Sequence, residues 1–496
     1  MHERGKSDSP VLPAKPPNNT GSPVAEVVEG RGLAKGNTAS KTRPGHSAGP
    51  GAPSALDRVR RVAQQDKDAR FTALLHHVDL DRLRAAYWAL NPRAATGVDG
   101  VTWQAYGRDL EANLQGLHRR VVRGAFRAKP SRRSYIAKAD GRLRPLGIAA
   151  LEDKIVQRAV VEVLNAIYEA DFLGFSYGFR PGRGPHDALD ALAAGILRRR
   201  VNWVLDADLR GFFDAINHDW LLRFLEHRIA DRRMVRLIRK WLRAGVIENG
   251  AWTQSTEGTP QGASASPLLA NVYLHYVFDR WAHQWRGRHA HGQMIIVRFA
   301  DDYIVGFEHE SDTRRFLSDL RSRLAKFALQ LAPEKTRLIE FGRHAAVRRA
   351  ARGLGRPETF QFLGFTHICA KTRNGHFKLA RITIAKRMQA KLRQVKTELA
   401  RRRHLPIPVQ GAWLAAVVRG HLAYYAVPGN SDAIIAFRTQ VIRHWTKALR
   451  RRSQRHRLDW ERMNRLSIRW LPPARITHPY PEKRHDARTQ GRSPVR

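Results

Sequence analysis

The stretch MIIVRFADDYIVGF, Met294 to Phe307, is the part of the chain from which the rest can be read. Two apolar runs rich in Ile and Val flank an adjacent acidic pair, Asp301 and Asp302. Such runs read as strands, so the acids fall at the turn between them. Carboxylates held on a rigid hairpin can bind Mg²⁺ against a nucleoside triphosphate. An Asp-Asp pair is also ordinary turn chemistry, so its meaning rests on what accompanies it.

Two other segments accompany it. WVLDADLRGFFDAINHDWLLRFL, Trp203 to Leu225, opens with a strand-like run carrying Asp206 and Asp208. It turns helical from about Asn217 or His218, with Trp220, Leu221, Phe224 and Leu225 at helical spacing. An acid on a strand beside an acidic hairpin supplies a third carboxylate; solvated strand-end acids are the plainer alternative. GTPQGASASPLLANVYLHYVF, Gly258 to Phe278, begins with a stiff turn. Ser266 then reads as an N-cap and Pro267 as the first helical position.

Together and in this order, these blocks resemble the reverse transcriptases encoded by bacterial group II introns. The blocks are Asp208-x-x-x-Phe-Phe-Asp, then Gly258-Thr-Pro-Gln-Gly with Ser266-Pro-Leu-Leu-Ala-Asn, then Arg298-Phe-Ala-Asp-Asp. TGVDGVT from Thr96 is similar to the family's N-terminal extension block. YIAKADGRLRPLGI from Tyr135 and FSYGFRPGRGPHDAL from Phe175 are similar to its fingers blocks, and LAPEKTRLIEFGR from Leu331 and FQFLGF from Phe360 to its late palm blocks. The likeness runs from about Leu74 to the HPYP at His478. Departures are small: Phe299 stands where the family has Tyr, and Ala-Ser-Ala follows Gly262 where Gly-Val-Ile is commoner. The subgroup resembled is the endonuclease-lacking class IIC. The sixteen residues after Tyr480 hold no Cys and only His485 as a histidine, so no His-Asn-His nuclease is expected there.

Bulk properties point the same way. Lys and Arg number 88 against 44 acids, a net charge of +44, which calls for a polyanionic partner. From Arg381 to Arg496 there are 27 Lys/Arg and six Asp/Glu, +21 on less than a quarter of the chain. That is an electrostatic footprint for a phosphate backbone, whereas a basic source proteome would spread the charge evenly. The single cysteine, Cys369, excludes a disulfide framework and a four-Cys zinc site. The start has no apolar signal core, no run suffices for a membrane span, and no P-loop motif occurs. A cytoplasmic, nucleoid-associated ribonucleoprotein is the expectation.

Composition divides the chain. Residues 1–50 are rich in Gly, Pro, Ser and Lys and read as a disordered basic tail. Residues 51–375 mix helices with short strands, an α+β body whose sheet should be antiparallel with the acidic hairpin at its centre. By resemblance this is a right-hand polymerase's fingers and palm. Residues 376–480 read as all-α: Met388, Leu392, Val395 and Leu399 recur at helical spacing, as do Ile434, Phe437, Val441 and Trp445 after Ser431-Asp432, with GAWLAAVVRGHLAYYAV between them. The family places its thumb, or maturase domain X, here. Residues 481–496 read as a basic tail.

The resemblance implies the site. Asp208, Asp301 and Asp302 would be the catalytic carboxylates, holding two Mg²⁺ with help from the Leu209 carbonyl. Asp302 could be structural, because neighbours on an extended segment face opposite ways. Phe213 would lie under the sugar and reject ribonucleotides, or be an ordinary core Phe. Gln261 would contact the incoming deoxynucleoside triphosphate, and Lys138 and Arg144 its phosphates. Arg401, Arg402, Arg403, Arg450, Arg451, Arg452, Arg455 and Arg457 would meet intron RNA. Tyr424, Tyr425 and Trp460 are candidates to stack on bases, with Trp445 better suited to bundle packing. Partners would be group II intron RNA, target DNA and a primer–template. Two alternatives stay open: a reverse transcriptase of a defence or diversity-generating system, and a non-enzymatic RNA-binding splicing factor on a polymerase scaffold.

Overall fold

The protein is described from a computed structural model covering residues 55–137, 143–260, 262–452 and 458–489. The expected N-terminal tail lies outside these residues, as do Lys138, Gln261, Arg455 and Arg457.

Eleven strands lie among the described residues: β1 Ser131–Ala137, β2 Leu143–Ile148, β3 Trp203–Asp208, β4 Val246–Glu248, β5 Ala251–Thr253, β6 Met294–Phe299, β7 Asp302–Phe307, β8 Arg337–Glu340, β9 Phe360–Phe362, β10 Phe365–Lys371 and β11 Phe377–Thr383. The central sheet has the order β6-β7-β3-β8 and is antiparallel throughout. The expected sheet type is therefore present, but the hairpin is not its centre. Strands β7 and β3 are central, and β6 is an outer strand whose free edge is covered by Phe175–Tyr177. That cover matters physically, because an open edge of this length would invite pairing with another chain.

Every residue of β6 is buried. This is why its sequence reads as a continuous apolar run rather than an alternating one. Ile296, Val297 and Val305 are fully enclosed, each contributing roughly 1.5–3 kcal/mol of burial. Helix Pro185–Arg198 packs on β6, and Gly195 lets it approach the Ile295 side chain closely. The fingers form a second sheet, β2-β1-β4-β5, in which β1 and β2 make an antiparallel hairpin.

A third sheet, β11-β10-β9, carries its last strand, β11, into the region expected to be helical from residue 376. The all-helical region instead starts at Ala385. Arg381 explains the misreading: a basic residue in β11 looks solvated, yet it is buried by pairing with Asp190 at 3.1 Å. Beyond it, helices Ala385–Arg401, Ile407–Tyr425, Ser431–Arg450 and Trp460–Trp470 enclose a separate core containing Leu399, Leu414, Phe437, Val441 and Trp445. The bundle has one more helix than the sequence pattern suggests. It docks on the central body through Tyr424, whose hydroxyl donates to the Leu363 carbonyl at 2.8 Å. Residues expected as a tail form another helix, Pro481–Thr489, clamped to helix Pro185–Arg198 by a bidentate Arg198–Asp486 pair at 2.7 Å. Among the described residues no helix is long and apolar enough to cross a membrane.

Candidate active site

The strand register assembles the site. Asp208, the last residue of β3, stands directly opposite Asp302, the first residue of β7. Across the hairpin, Phe299 pairs with Asp302, so Ala300 and Asp301 are the two turn residues. Ala300 has φ +56°, the positive value that a tight two-residue hairpin requires at its first turn position. One carboxylate oxygen from each of Asp208, Asp301 and Asp302 lies within 4.8 Å of the others. Asp302 thus joins the cluster. Asp301 belongs to the turn, not to an extended strand, so the alternation that would separate the two acids does not apply.

Like charges placed opposite one another on a sheet repel, so this arrangement calls for a cation. Three hard oxygen donors at this separation suit a divalent ion such as Mg²⁺. Part of the compensation is supplied by Lys335, whose ammonium hydrogen-bonds to Asp208 Oδ2. Nothing in the spacing of the sequence marks Lys335 among 88 basic residues; it was visible only as one letter of the LAPEKT block. Asp206 lies two residues before Asp208, on the same face of β3. Burial pushes its carboxyl up to about 6, with Arg337, 3.4 Å away, opposing and Asp208 adding to the rise.

Leu209 is buried and continues β3 through an isolated bridge to Leu331. That bridge uses Arg210 N to Gln330 O and Ala332 N to Asp208 O, so the Leu209 carbonyl takes no part in those two bonds. Phe213 follows in the loop to helix His218–Glu226, which Asn217 caps through the Trp220 amide. The Gly258 turn lies against this loop: Gly258 N donates to Ile216 O and Thr259 N to Phe213 O, each at 2.8 Å. A side chain at Gly258, φ +79°, would meet the Phe213 and Asp214 carbonyls at 3.0 and 2.9 Å. The candidate sugar-contacting ring and the candidate nucleotide-contacting turn are therefore one unit. Ser266 does not cap its helix as expected; it is the first helical residue, and its hydroxyl closes the turn by donating to Pro260 O at 2.9 Å. Arg144 sits on the fingers hairpin opposite Ile136.

The basic residues of the bundle divide into two kinds. Arg402 pairs with Glu398 at 2.6 Å, Arg450 donates to the Leu458 carbonyl at 2.9 and 3.1 Å, and Arg452 donates to the Arg403 and Leu405 carbonyls. Arg450 and Arg452 hold the bundle's own loops, whereas the Arg402 pair lies along the end of one helix. Arg401 and Arg451 are exposed, Arg401 with Glu398 3.7 Å away. Trp460 is exposed, whereas Tyr424 and Trp445 are buried.

Comparison with known proteins agrees with this geometry. Residues 136–367, which include all three carboxylates, match the family model described as reverse transcriptase (RNA-dependent DNA polymerase). The chain carries a reverse transcriptase domain. It is 40% identical over 191 residues to Protein YkfC of Escherichia coli, covering 38% of this chain and 50% of that protein. It is 36% identical over 222 residues to the group II intron-encoded protein LtrA of Lactococcus lactis, covering 44% of this chain and 37% of that one. A nuclear intron maturase of Arabidopsis thaliana is 28% identical over 164 residues, 33% of this chain and 22% of that protein. The chain thus spans half or less of the length of these curated relatives. The reverse transcriptase domain and the likeness to intron-encoded proteins bear out the family resemblance read from the motifs.

Proposed function

We propose that the protein is an RNA-directed DNA polymerase encoded by a group II intron, which copies intron RNA into cDNA and binds that RNA to assist splicing and mobility. The observation that carries the reading is the convergence of Asp208, Asp301 and Asp302 on one cation-binding cluster inside a reverse transcriptase domain. Asp208 and Asp301, with Asp302 and the Leu209 carbonyl, would hold two Mg²⁺. When bound, such ions stabilise the attacking and leaving oxygens of nucleotidyl transfer.

The remaining work falls to the protein. Phe213, held by the Gly258 turn, supplies a ring beneath the sugar that a 2′-hydroxyl would strike, so deoxynucleotides are selected. Gln261 contacts the incoming nucleotide. Arg144, on the fingers hairpin, and Lys138 take its phosphates through charge-assisted bonds. The basic bundle, with Arg401 and Arg451 foremost, grips folded RNA through its backbone, and Arg403, Arg455 and Arg457 add further charge for phosphates. The protein would act as a cytoplasmic ribonucleoprotein at the nucleoid.

The intact carboxylate triad speaks against a non-enzymatic splicing factor, and the likeness to intron-encoded proteins speaks against a defence or diversity-generating polymerase. The test is reconstitution with the intron RNA that flanks the reading frame. Purified protein should bind that RNA, promote its splicing at low Mg²⁺ and extend a DNA primer along it with deoxynucleotides. Primer extension without any effect on splicing would leave a polymerase of another system.

A further inference from the structure

Arg298, the last but one residue of β6 and just before the acidic turn, is completely buried, at 0% exposure. A guanidinium has five N–H donors, and here each one is engaged. Nε donates to Asp279 Oδ1 at 2.7 Å, and Nη2 to Asp279 Oδ2 at 2.5 Å and to Ser176 Oγ at 2.7 Å. Nη1 donates to Asn271 Oδ1 and to the Ala300 carbonyl, both at 3.0 Å. Asp279 is also at 0% exposure and closes a widened helical turn, His275–Asp279, in the long helix behind the sheet. Asn271, one helical segment earlier, donates through Nδ2 to the Gly178 carbonyl at 2.7 Å.

A buried ion pair adds little to stability compared with apolar residues of the same volume, because both charges lose their water. What a planar five-bond guanidinium does provide is fixed geometry. The one contact that leads toward the site is the bond to Ala300. That residue occupies a left-handed conformation, φ +56°, which an alanine adopts only when its surroundings hold it there. It is also the residue immediately before Asp301.

We propose that Arg298 is the positioning residue of the carboxylate hairpin. Its guanidinium grips the Ala300 carbonyl, holds the strained turn, and so aims Asp301 at Asp208. Asp279, Asn271 and Ser176 fix the guanidinium in turn, from two segments of the chain other than its own strand. This rests on the reading of Asp208, Asp301 and Asp302 as ligands of a divalent ion.

The test is Mn²⁺ binding, followed by electron paramagnetic resonance on the purified full chain, with primer extension alongside. Lysine keeps the charge but cannot form the fork. R298K should therefore weaken Mn²⁺ binding by about tenfold or more, since displacing a ligand by even half an ångström spoils such a site. Its affinity for primer–template should stay within about twofold of wild type. Glycine takes positive φ without strain, so adding A300G to R298K should restore most of the lost affinity. A role in packing alone would give no such rescue. Should R298K not fold, Asn271→Ala removes one of the two groups that share Nη1 and should weaken Mn²⁺ binding in the same way. Wild-type Mn²⁺ affinity in R298K, or in Asn271→Ala where that variant stands in for it, overturns the proposal, as does a loss in R298K that A300G leaves unchanged. Wild-type protein that binds Mn²⁺ through the triad but extends no primer would sink the polymerase reading and leave this one standing.

Discussion

Lys335 on Asp208 is the contact at the site with the most direct consequence for ion binding. An ammonium against a carboxylate competes with any other cation that carboxylate holds. Half of the lysine side chain is exposed, so the pair is partly screened and is worth at most about 1 kcal/mol. Lys335→Ala should then lower the Mg²⁺ concentration for half-maximal primer extension by roughly two- to fivefold. A Mg²⁺ titration of extension rate checks this, and an unchanged or higher requirement would contradict it. At this scale the sequence is uneven evidence. The three aspartates are legible because their spacing is bound to recognisable strands and turns. Lys335 is not, because a lysine in so basic a chain carries no signal until a fold brings it to a carboxylate. Arg450 and Arg452 read as free charges for RNA, and each also donates to carbonyls of its own bundle, a bond no local pattern reveals.

Among elements, the hairpin β6–β7 depends on a neighbour from far upstream. The Phe175–Gly178 segment runs along β6, with Arg298 N donating to Phe175 O and Tyr177 N to Arg298 O, each at 2.9 Å. Gly178 lies so close to the turn that a Cβ would overlap the Ala300 amide nitrogen and come within 2.9 Å of the Phe299 carbonyl carbon. Both of those atoms are backbone and cannot swing aside. Gly178→Ala should cost about 1–3 kcal/mol of stability, and because the turn must shift, extension should fall by about a hundredfold. Gly116→Ala, in an open position of helix Leu110–Val122, should instead be neutral or stabilising by up to about 1 kcal/mol. Thermal melts and extension rates of the two variants check the contrast; equal behaviour would show that the close approach is unimportant. The hairpin, β3 and the Asn217-capped helix were readable from their patterns. Strand β11 and helix Pro481–Thr489 were not, for one shared reason. Arg381 and Arg484 both reach Asp190, a buried carboxylate almost two hundred residues or more away in sequence, and no local pattern encodes such a pairing.

For the whole molecule, pH is a test of how tightly its three cores close: one behind the central sheet, one between that sheet, helix Pro185–Arg198 and strands β9–β11, and one in the bundle. His275, His367 and His421 are buried, one in or beside each core, and burial pushes each imidazole down to about 3. For His367 the nearby Arg381 charge adds to the effect. A base whose folded value lies below its unfolded one leaves the unfolded chain binding more protons in between. Stability from these residues is therefore present above about pH 6.5 and is lost as pH falls toward 3, by roughly 1–2 kcal/mol per histidine at pH 5. His367 stacks on Phe360 with centroids 4.7 Å apart; His367→Phe keeps a ring there and should flatten the fall in melting temperature between pH 7 and pH 5. A slope equal to wild type would mean that His367 does not report on core closure. The central claim, that the carboxylates joined by β3 and the β6–β7 hairpin make a polymerase, has a more direct test. Purified wild-type protein and Asp301→Ala are compared in extension of a DNA primer on an RNA template with Mg²⁺ and deoxynucleotides, with RNA affinity measured on the same samples. Loss of extension in the variant by at least about a thousandfold, with RNA binding near wild type, is the predicted result. Sustained cDNA synthesis by Asp301→Ala would contradict the account.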